Sequence, residues 1–314
     1  MIITVTLNPS IDRTMHLQKI SLGEINRAQY TTLDPGGKGV NVSRALRSYG
    51  AKTYAVLVCG QLGQHWFSET LTLADIPHKI VNAQGITRTN ITLVESDGRV
   101  TKINESGFTL TQVDLDNVRN AIASQELSNS WVVLAGRLNP GLDSHTYCDL
   151  AKFAKEKGAK VAVDASGAEL KAAISAGVVD LIKPNQHELS ELVDRPLHTT
   201  QDVIIAAREI ISAGVPTVLC SLGADGALLI TADDVVHCEP REQVTGTPVG
   251  AGDILLGIFL GAGADVKALE KGVAWSAASV PLEGTSIPSP AQAALIKINT
   301  KLHFDDNRDL VEVE

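Results

Sequence analysis

Short apolar segments alternate with amphipathic helical segments along most of this chain, and this alternation constrains the fold more than any other feature. The β-branched, apolar segments typical of buried strands are 2–7, 52–59, 131–135, 160–164, 181–183 and 217–220. The segments with helical periodicity are 37–49, 64–73, 115–124, 145–157, 186–193 and 203–213. Parallel strands need a crossover connection, and helices supply it. The sequence therefore predicts an α/β fold with a mostly parallel sheet covered by helices on both faces.

Two regions, about 10–34 and 78–106, break this rhythm because they contain strand patterns without intervening helices. In the second region, Asp97-Gly98 is typical of a hairpin turn. Strands set apart in this way predict a small sheet that serves as a lid or a dimer surface. We expect it to belong to a single domain that spans residues 1–314.

The end of the chain is predicted to be helical after Thr247. The predicted helices are 251–260, 266–280 and 290–302. The acidic last residues, 304–314, are expected to fray.

Composition and charge exclude several classes of protein. The chain has 314 residues, 44% of them hydrophobic and 20% charged, which is ordinary for a soluble globular enzyme. No run of about 18 apolar residues is present, so we expect no membrane span. The net charge is −9 and the basic residues are dispersed, which argues against binding to nucleic acid or anionic lipid.

The cysteines and the N-terminus bear on the compartment. Cys59, Cys148, Cys220 and Cys238 form no CxxC pair, and Cys59 and Cys220 lie in strand-like runs. We therefore expect reduced, buried thiols and a reducing compartment. The first residues show no secretory signal, so we expect a cytoplasmic protein. The eight histidines show no metal-ligand spacing.

The run VGAGD at 249–253 is followed by an almost wholly apolar helical segment. Gly250 and Gly252 allow backbone N–H groups to approach a ligand, and the helix N-terminus adds partial positive charge. These features suit a transferring phosphoryl group, and Asp253 in the first turn could take a hydroxyl proton. The alternative is a carboxylate that only complements the helix dipole, with glycines that serve packing.

The run PGGKGVN at 35–41 also places glycines at the start of a helix. Lys38 is followed by Gly39 rather than Ser or Thr, and the spacing of a Walker A motif is absent. Lys38 and the local backbone could contact a sugar or its phosphate, with Asn41 one turn further on. An ordinary turn with a solvated lysine is the alternative.

Several ordered motifs together carry a family resemblance. GGKGVNVSRAL and VGAGD resemble the two signatures of the phosphofructokinase B, or ribokinase-type, sugar kinases. TRTNITL, LAGRLNPG, VDASG, LIKPNQHEL and SLGADGALL follow between them in the family's order, and the resemblance covers about nine tenths of the chain. It implies a ribokinase-like three-layer α/β/α sandwich with a mostly parallel central sheet and a small β lid.

The resemblance also implies roles for particular residues. Asp253 would be the general base, and the amides of Gly250, Ala251 and Gly252 would form an anion hole. The residues implied for the sugar phosphate are Asp12, Gly37, Lys38, Asn41, Arg88, Arg27 and Asn104. Arg137 stands where the family usually has Ser, and it could add a phosphate contact. The residues implied for the nucleotide are Asn185, Ser221, Gly223, Gly226 and Lys183. Glu188 would hold Mg²⁺, partly through water.

Each of these residues also has a purely structural interpretation. Asp12 could cap a turn, and the Lys183–Asn185 run could be only a strand end. Glu188 could be an ordinary acidic residue in a first helical turn, and Arg27 and Arg88 could be solvated surface groups.

The chain departs from the family pattern at a few positions. These are Pro248 for Thr, Ile254 for a small residue, Arg137 for Ser, Asn139 for Pro and Ser106 for Pro. Since Asp253 and its flanking glycines are intact, the resemblance still implies an active kinase.

The resemblance implies ATP- and Mg²⁺-dependent phosphorylation of fructose 1-phosphate at its C6 hydroxyl. The same chemistry on tagatose 6-phosphate or fructose 6-phosphate is an alternative. A catalytically inactive protein that binds sugar phosphate or nucleotide is an alternative of another class. Exposed lid strands could pair across a two-fold axis and form a homodimer, but the sequence does not give the oligomeric state.

Overall fold

A ten-stranded sheet forms the centre of the molecule in a computed structural model, which describes residues 1–304 and 306–310. Its strand order is β14-β13-β12-β11-β10-β9-β8-β1-β4-β5. Its strands are β1 Ile2–Thr6, β4 Thr53–Cys59, β5 His78–Asn82, β8 Trp131–Ala135, β9 Lys160–Asp164, β10 Leu181–Ile182, β11 Thr217–Ser221, β12 Ala227–Ile230, β13 Val235–Pro240 and β14 Ile298–Leu302. The seven strands from β11 to β5 are parallel, and β12 to β14 extend the sheet in antiparallel fashion. The predicted mostly parallel α/β fold is confirmed.

Helices cover both faces of this sheet. They are α1 Lys38–Tyr49, α2 Gln64–Leu73, α3 Gln112–Ala123, α4 Thr146–Glu156, α5 Gly167–Ser175, α6 Gln186–Val193, α7 Thr200–Ser212, α8 Ala251–Gly261, α9 Val266–Ser279 and α10 Pro290–Leu295. Neighbouring strand residues point to opposite faces. Accordingly, Ile3 packs in the cluster with α3 and α4, whereas Ile2 packs in the cluster with α1 and α8. This two-sided burial explains why the central strands are nearly continuous apolar runs.

A separate four-stranded sheet has the order β3-β2-β6-β7. Its strands are β2 Ser10–Leu17, β3 Tyr30–Gly36, β6 Arg88–Glu95 and β7 Val100–Asn104. We call it the small sheet. Its strands come from the two irregular regions of the sequence, and Asp97-Gly98 lies in the turn between β6 and β7.

Two local predictions are wrong, and three elements have no counterpart in the predictions. His78–Asn82 was expected in the small sheet but pairs in parallel with β4 at the edge of the large sheet, because α2 provides the crossover. The predicted helix 290–302 ends at Leu295, and β14 then pairs with β13. The helix α5 and the strands β12 and β13 were not predicted at all.

The segment 306–310 is held against the body of the protein, contrary to the expectation that it frays. The Leu310 amide donates to the carbonyl of His198 at 2.9 Å, and the Thr200 amide donates to the carbonyl of Arg308 at 3.0 Å. Arg308 also pairs with Glu239 at 2.7 Å. Residue 305 and residues 311–314, which belong to the same prediction, lie outside the described residues.

All four cysteines are free and buried, as the strand pattern predicts for Cys59 and Cys220. In the described part of the chain, no helix is both long and apolar enough to cross a membrane.

Candidate active site

Several predicted site residues, Lys183, Ser221, Lys38 and Asp253 among them, lie with Asp164 at the carboxyl-terminal edge of the large sheet. Asp164 ends β9, Lys183 directly follows β10, and Ser221 ends β11. The N-termini of α1 and α8 reach the same edge. Lys38 of α1 donates to Asp164, and Asn41 of α1 donates to Asp253 of α8. The charge of Lys38 also acts on Asp253. Open α/β sheets bind their ligands at this edge.

Asp253 lies in the first turn of α8 and is almost completely buried. Gly250 precedes the helix with a φ of 79°, a left-handed conformation that glycine adopts without strain. Among the residues that the structure describes, no side chain caps this N-terminus. The Ala251 amide donates to the carbonyl of Pro248 at 3.1 Å, so it closes a turn in this structure, and its role in an anion hole stays a prediction.

The surroundings of Asp253 suit a base that works near neutral pH. Burial and the charge of Asp164 raise the pKa of the Asp253 carboxyl to about 6. Lys38, Lys183 and the hydrogen bond from Asn41 oppose this rise. Asn41 Nδ2 donates to Asp253 Oδ2 at 2.8 Å. A carboxyl with such a pKa is ionised at neutral pH and still a useful proton acceptor.

Asp164 is the buried counter-charge of two lysines. Lys38 Nζ lies 2.7 Å from Asp164 Oδ1, and Lys183 Nζ lies 3.4 Å from Asp164 Oδ2. Burial by itself would raise the pKa of Asp164, but the two lysines outweigh it and hold the pKa below its ordinary value. Burial also opposes protonation of Lys38, yet Asp164 and Glu188 raise its pKa above its usual range. Lys38 is therefore charged, and Lys183 Nζ lies close to Gly252 in the first turn of α8.

Lys38 and Glu188 have partners other than those predicted. Lys38, expected on the substrate's phosphate, pairs with Asp164 and lies 3.4 Å from Glu188 Oε1. Glu188 and Asn185 form a capping box at the start of α6. The Asn185 amide donates to Glu188 Oε2 at 2.9 Å, and the Glu188 amide donates to Asn185 Oδ1 at 2.7 Å. The structural interpretation of Glu188, an acidic residue in a first helical turn, is thus realised. The ligand roles of Lys38, Asn185 and Glu188 stay predictions.

Polar groups near the start of β2 and β6, the two inner strands of the small sheet, surround Asp12. Ser10 Oγ donates to Asp12 Oδ1 at 2.6 Å, and Asn90 Nδ2 donates to the same oxygen at 2.9 Å. Burial raises the pKa of Asp12 in spite of these bonds. A Cβ at Gly36 would overlap the Asp12 carboxyl, so the glycine of β3 leaves the space that this carboxyl occupies. Gly37 directly precedes α1.

The predicted phosphate ligands lie in different surroundings. Arg88 donates to the carbonyl of Asn8 at 3.1 Å and to Asn90 Oδ1 at 3.2 Å. Burial lowers the pKa of Arg88, whereas the charge of Asp12 raises it. The charge of Arg137 also lowers the pKa of Arg88, so the guanidinium groups of Arg88 and Arg137 face the same region. Arg137 is exposed and lines a cavity of about 270 Å³ with Ser166 and Glu169.

Arg27 and Asn104 differ in their distance from these groups along the small sheet. Arg27 lies in the exposed loop between β2 and β3, and Asn104 is exposed at the end of β7, opposite Asn90. The structure does not bring Arg27 into contact with the other predicted ligands among the described residues, and its role stays a prediction.

The predicted nucleotide residues follow one another at the end of β11. Ser221 ends the strand, Gly223 begins a short 3₁₀ helix, and Gly226 leads into β12. The Ser221 amide donates to the carbonyl of Pro184, which joins this loop to the Lys183–Asn185 run.

Comparison with known proteins agrees with this geometry. The chain matches the pfkB family carbohydrate kinase profile over residues 5–292. A 1-phosphofructokinase of Xanthomonas campestris is 36% identical over 258 residues, which cover 81% of each chain. The ATP-dependent 6-phosphofructokinase isozyme 2 of Escherichia coli is 32% identical over 295 residues, with coverage of 92% of this chain and 95% of the relative. The chain belongs to the pfkB family of carbohydrate kinases.

A solved structure supports the same assignment. The phosphofructokinase-2 of Escherichia coli in complex with potassium superposes with a TM-score of 0.88 at 31% identity, covering 94% of this chain and 97% of that chain. As a pfkB kinase, the protein is an enzyme that uses ATP, and its fold is the ribokinase-like sandwich that the motifs predicted.

The donor groups of this pfkB kinase fit Mg²⁺ that arrives on ATP. Mg²⁺ commonly uses one or two carboxylates together with phosphate oxygens and water. The described residues contain no cluster of three His, Cys, Asp or Glu side chains for a metal. Glu188 is a single carboxylate at the edge of the site, which suits an ion that is held mainly by the triphosphate.

Three contributors to the site were not predicted. Asp164 lies in the VDASG run, and its signal was an acidic residue directly after a buried apolar strand. Asn90 lies two residues beyond Arg88 on β6, and thus on the same face of the strand. Arg44, one helical turn after Asn41, gave no signal apart from its charge on an otherwise buried part of α1.

Two departures from the family pattern have a structural reason. Ile254 is buried in a cluster with Ala45, Ile258 and Trp275, where its larger side chain packs between α1 and α9. Asn139 is buried and donates to the carbonyl of Phe108 at 3.0 Å.

Proposed function

We propose that this pfkB kinase transfers the γ-phosphoryl group of ATP to the C6 hydroxyl of fructose 1-phosphate, with Asp253 as general base. The observation that carries the proposal is the buried Asp253 carboxyl, with a pKa of about 6, at the uncapped N-terminus of α8. The relatives that are named 1-phosphofructokinase support the choice of substrate.

In the proposed reaction, the C6 oxygen attacks the γ-phosphorus while Asp253 accepts the hydroxyl proton. The bond from the γ-phosphorus to the bridging oxygen breaks, and ADP leaves with that electron pair. Lys38, Lys183 and the amides at the start of α8 stabilise the charge on the transferred group. Mg²⁺, held by the triphosphate and through water by Glu188, would neutralise further negative charge.

Asp12 and Asn90 would bind the sugar hydroxyls from the small sheet, which acts as a lid in this proposal. Gly37 and Asn104 would complete the sugar site, and Asn41 would contact the sugar from α1. Arg88 and Arg137 would bind the phosphate that the substrate already carries, with Arg27 reaching it from the loop of the small sheet. Ser221, Gly223 and Gly226 would line the nucleotide.

ADP release by the purified protein tests the proposed substrate. The panel holds fructose 1-phosphate, fructose 6-phosphate, tagatose 6-phosphate and unphosphorylated fructose, with ATP and Mg²⁺. We expect the highest kcat/KM for fructose 1-phosphate. A higher value for either 6-phosphate would move the assignment to that sugar, as the 6-phosphofructokinase relative suggests. No turnover, together with thermal stabilisation by the same ligands, would identify an inactive binding protein.

Arg137→Ser restores the residue usual in the family and tests the phosphate contact. A hydrogen bond to a charged group contributes about 1.5–3 kcal/mol, so we expect the KM for fructose 1-phosphate to rise by about 10-fold or more, with kcat nearly unchanged. Arg119→Ser, which removes an arginine paired with Asp116 on α3, is the matched control. An unchanged KM in the Arg137 variant would exclude this contact.

The exposed surface of the small sheet supports the proposal of a homodimer. Tyr30, Leu33, Val100 and Ile103 are each between 45% and 53% exposed, so strands of this sheet leave apolar surface uncovered. A monomer in sedimentation equilibrium at micromolar concentration would contradict the dimer. A cytoplasmic location is part of the same proposal and is supported by the four free, buried thiols.

A further inference from the structure

Arg44 connects three parts of the active-site edge. Its Nη1 donates to the carbonyl of Thr285 at 3.1 Å, to Thr285 Oγ1 at 3.0 Å and to Asn41 Oδ1 at 3.3 Å. Thr285 is buried beside Gly250, the residue that directly precedes α8. The loop that contains Thr285 thus fixes the guanidinium, and Nη1 also donates to the side-chain amide oxygen of Asn41.

The chemistry of the amide allows only one orientation between these neighbours. The Asn41 side chain has an oxygen that accepts and a nitrogen that donates, whereas a guanidinium only donates and an ionised carboxylate only accepts. With Arg44 on one side, Oδ1 turns toward Arg44 and Nδ2 turns toward Asp253. In the opposite orientation, Asn41 Oδ1 would face the Asp253 carboxylate, and Asn41 Nδ2 would face the N–H groups of Arg44.

We propose that Arg44 is a positioning residue for the general base: by donating to Asn41 Oδ1, it holds the amide so that Nδ2 donates to Asp253. The inference deepens the proposed function, since it rests on Asp253 as the base of that reaction. Arg44 itself contacts neither the carboxylate nor the transferred group in this arrangement.

The charged groups around the two residues are few. Asp164 from β9, Lys38 from α1 and Lys183 after β10 face Asp253. Asp34 from β3 and Asp12 from β2 face Arg44 and offset the effect of burial, which lowers the pKa of its guanidinium. None of these groups depends on Arg44 for its hydrogen bonds as Asn41 does, so a change at Arg44 reaches Asp253 chiefly through the amide.

The test is the pH dependence of kcat with saturating substrates. Loss of the donor lets the amide turn away, and hydrogen bonds to a carboxylate favour its ionised form. We therefore expect Arg44→Met to move the acid limb of kcat upward by about one pH unit. Arg44→Lys keeps the charge and one donor and should return the limb toward its wild-type position. Arg47→Met, on the exposed side of α1 where Arg47 pairs with Asp75, should leave the limb unmoved.

A double-mutant cycle separates positioning from a through-space effect of the charge. In an Asn41→Ala background, Arg44→Met should cause no further shift of the limb. An equal shift in that background would overturn the proposal, because it would show that the charge acts directly. A lower kcat/KM in Arg44→Met with an unchanged acid limb of kcat would also overturn the proposal. It would show that Arg44 only stabilises the loop that contains Thr285.

A second readout does not need turnover. The difference in Tm between proteins with and without Asp253→Asn follows the ionisation of Asp253 as pH changes. In the Arg44→Met background, the pH at which this difference develops should rise by the same amount as the limb. If the wild type phosphorylates none of the sugars, the proposed function fails, while this measurement still decides the role of Arg44.

Discussion

Asp253→Asn is expected to lower kcat by about 10²–10⁴-fold, the usual contribution of a positioned general base. Asparagine keeps the size of the side chain and its place in the first turn of α8, but it cannot accept the hydroxyl proton. The measurement is ADP release with fructose 1-phosphate at saturating ATP. Turnover within a few-fold of the wild type would exclude Asp253 as the base.

The same substitution should stabilise the protein at pH 8. The pKa of Asp253 rises from 3.8 to about 6 on folding, so the folded state holds this proton more tightly than the unfolded state. The resulting destabilisation is absent below pH 3.8, grows between that value and about 6, and is complete above it. Two pKa units correspond to about 3 kcal/mol. Denaturant unfolding should therefore show a more stable variant at pH 8 and nearly equal proteins near pH 4.

Asp265→Asn is the matched control for both measurements. Asp265 caps α9 by accepting from the Ala268 amide at 2.8 Å, and asparagine caps helices about as well. We expect unchanged kcat and unchanged stability in this variant. A loss of kcat there would show that the effect of Asp253→Asn is not specific to the base.

Asp164→Asn is expected to lower the free energy of unfolding by about 3–5 kcal/mol at pH 7. Removing one partner of a buried ion pair leaves uncompensated charge, here chiefly on the buried Lys183, since Lys38 keeps Glu188 as a partner. Because lysines hold the pKa of Asp164 low, its contribution is present above the ordinary value of 3.8 and is lost as pH falls through the lower folded value. The gap between the proteins should thus close in acid. Urea unfolding at both pH values checks this.

Asp75→Asn provides the contrast for that prediction. Asp75 pairs with Arg47 at an exposed site, and exposed pairs contribute about 0–1 kcal/mol.

Asp164→Asn has a second expected effect, because the charge of Asp164 raises the pKa of Asp253. The acid limb of kcat should therefore move to lower pH. If Asp164→Asn lowers the free energy of unfolding by less than about 1 kcal/mol, water rather than Asp164 compensates the charge of the two lysines.

The elements that the sequence predicted are those whose pattern is local. The strands β1, β4, β8, β9 and β11 are apolar runs that both faces of the sheet bury, and the helices between them have one buried side. Asp253 could be found because two glycines, an acidic residue and an apolar helix occur within a few residues of one another. The ordered motifs by themselves indicate the family.

The predictions that are wrong concern segments whose structure depends on the strand with which they pair. The segment His78–Asn82 is a strand wherever it lies, and only the crossover through α2 sends it to the large sheet. Ile298–Leu302 has an apolar pattern that suits a helix or a strand, and the free edge of β13 selects the strand. Such preferences come from partners far away in the sequence, which propensity does not contain.

The sequence by itself determined the family, the α/β class and the identity of the candidate base. Only the tertiary structure decided what that base touches. Lys38 meets Asp164 across 126 residues, and Asn41 meets Asp253 across 212. These contacts exist because the strand order brings β9 and the N-termini of α1 and α8 to one edge of the sheet. Burial at that edge removes water, so the charges act on one another strongly enough to set the pKa of Asp253.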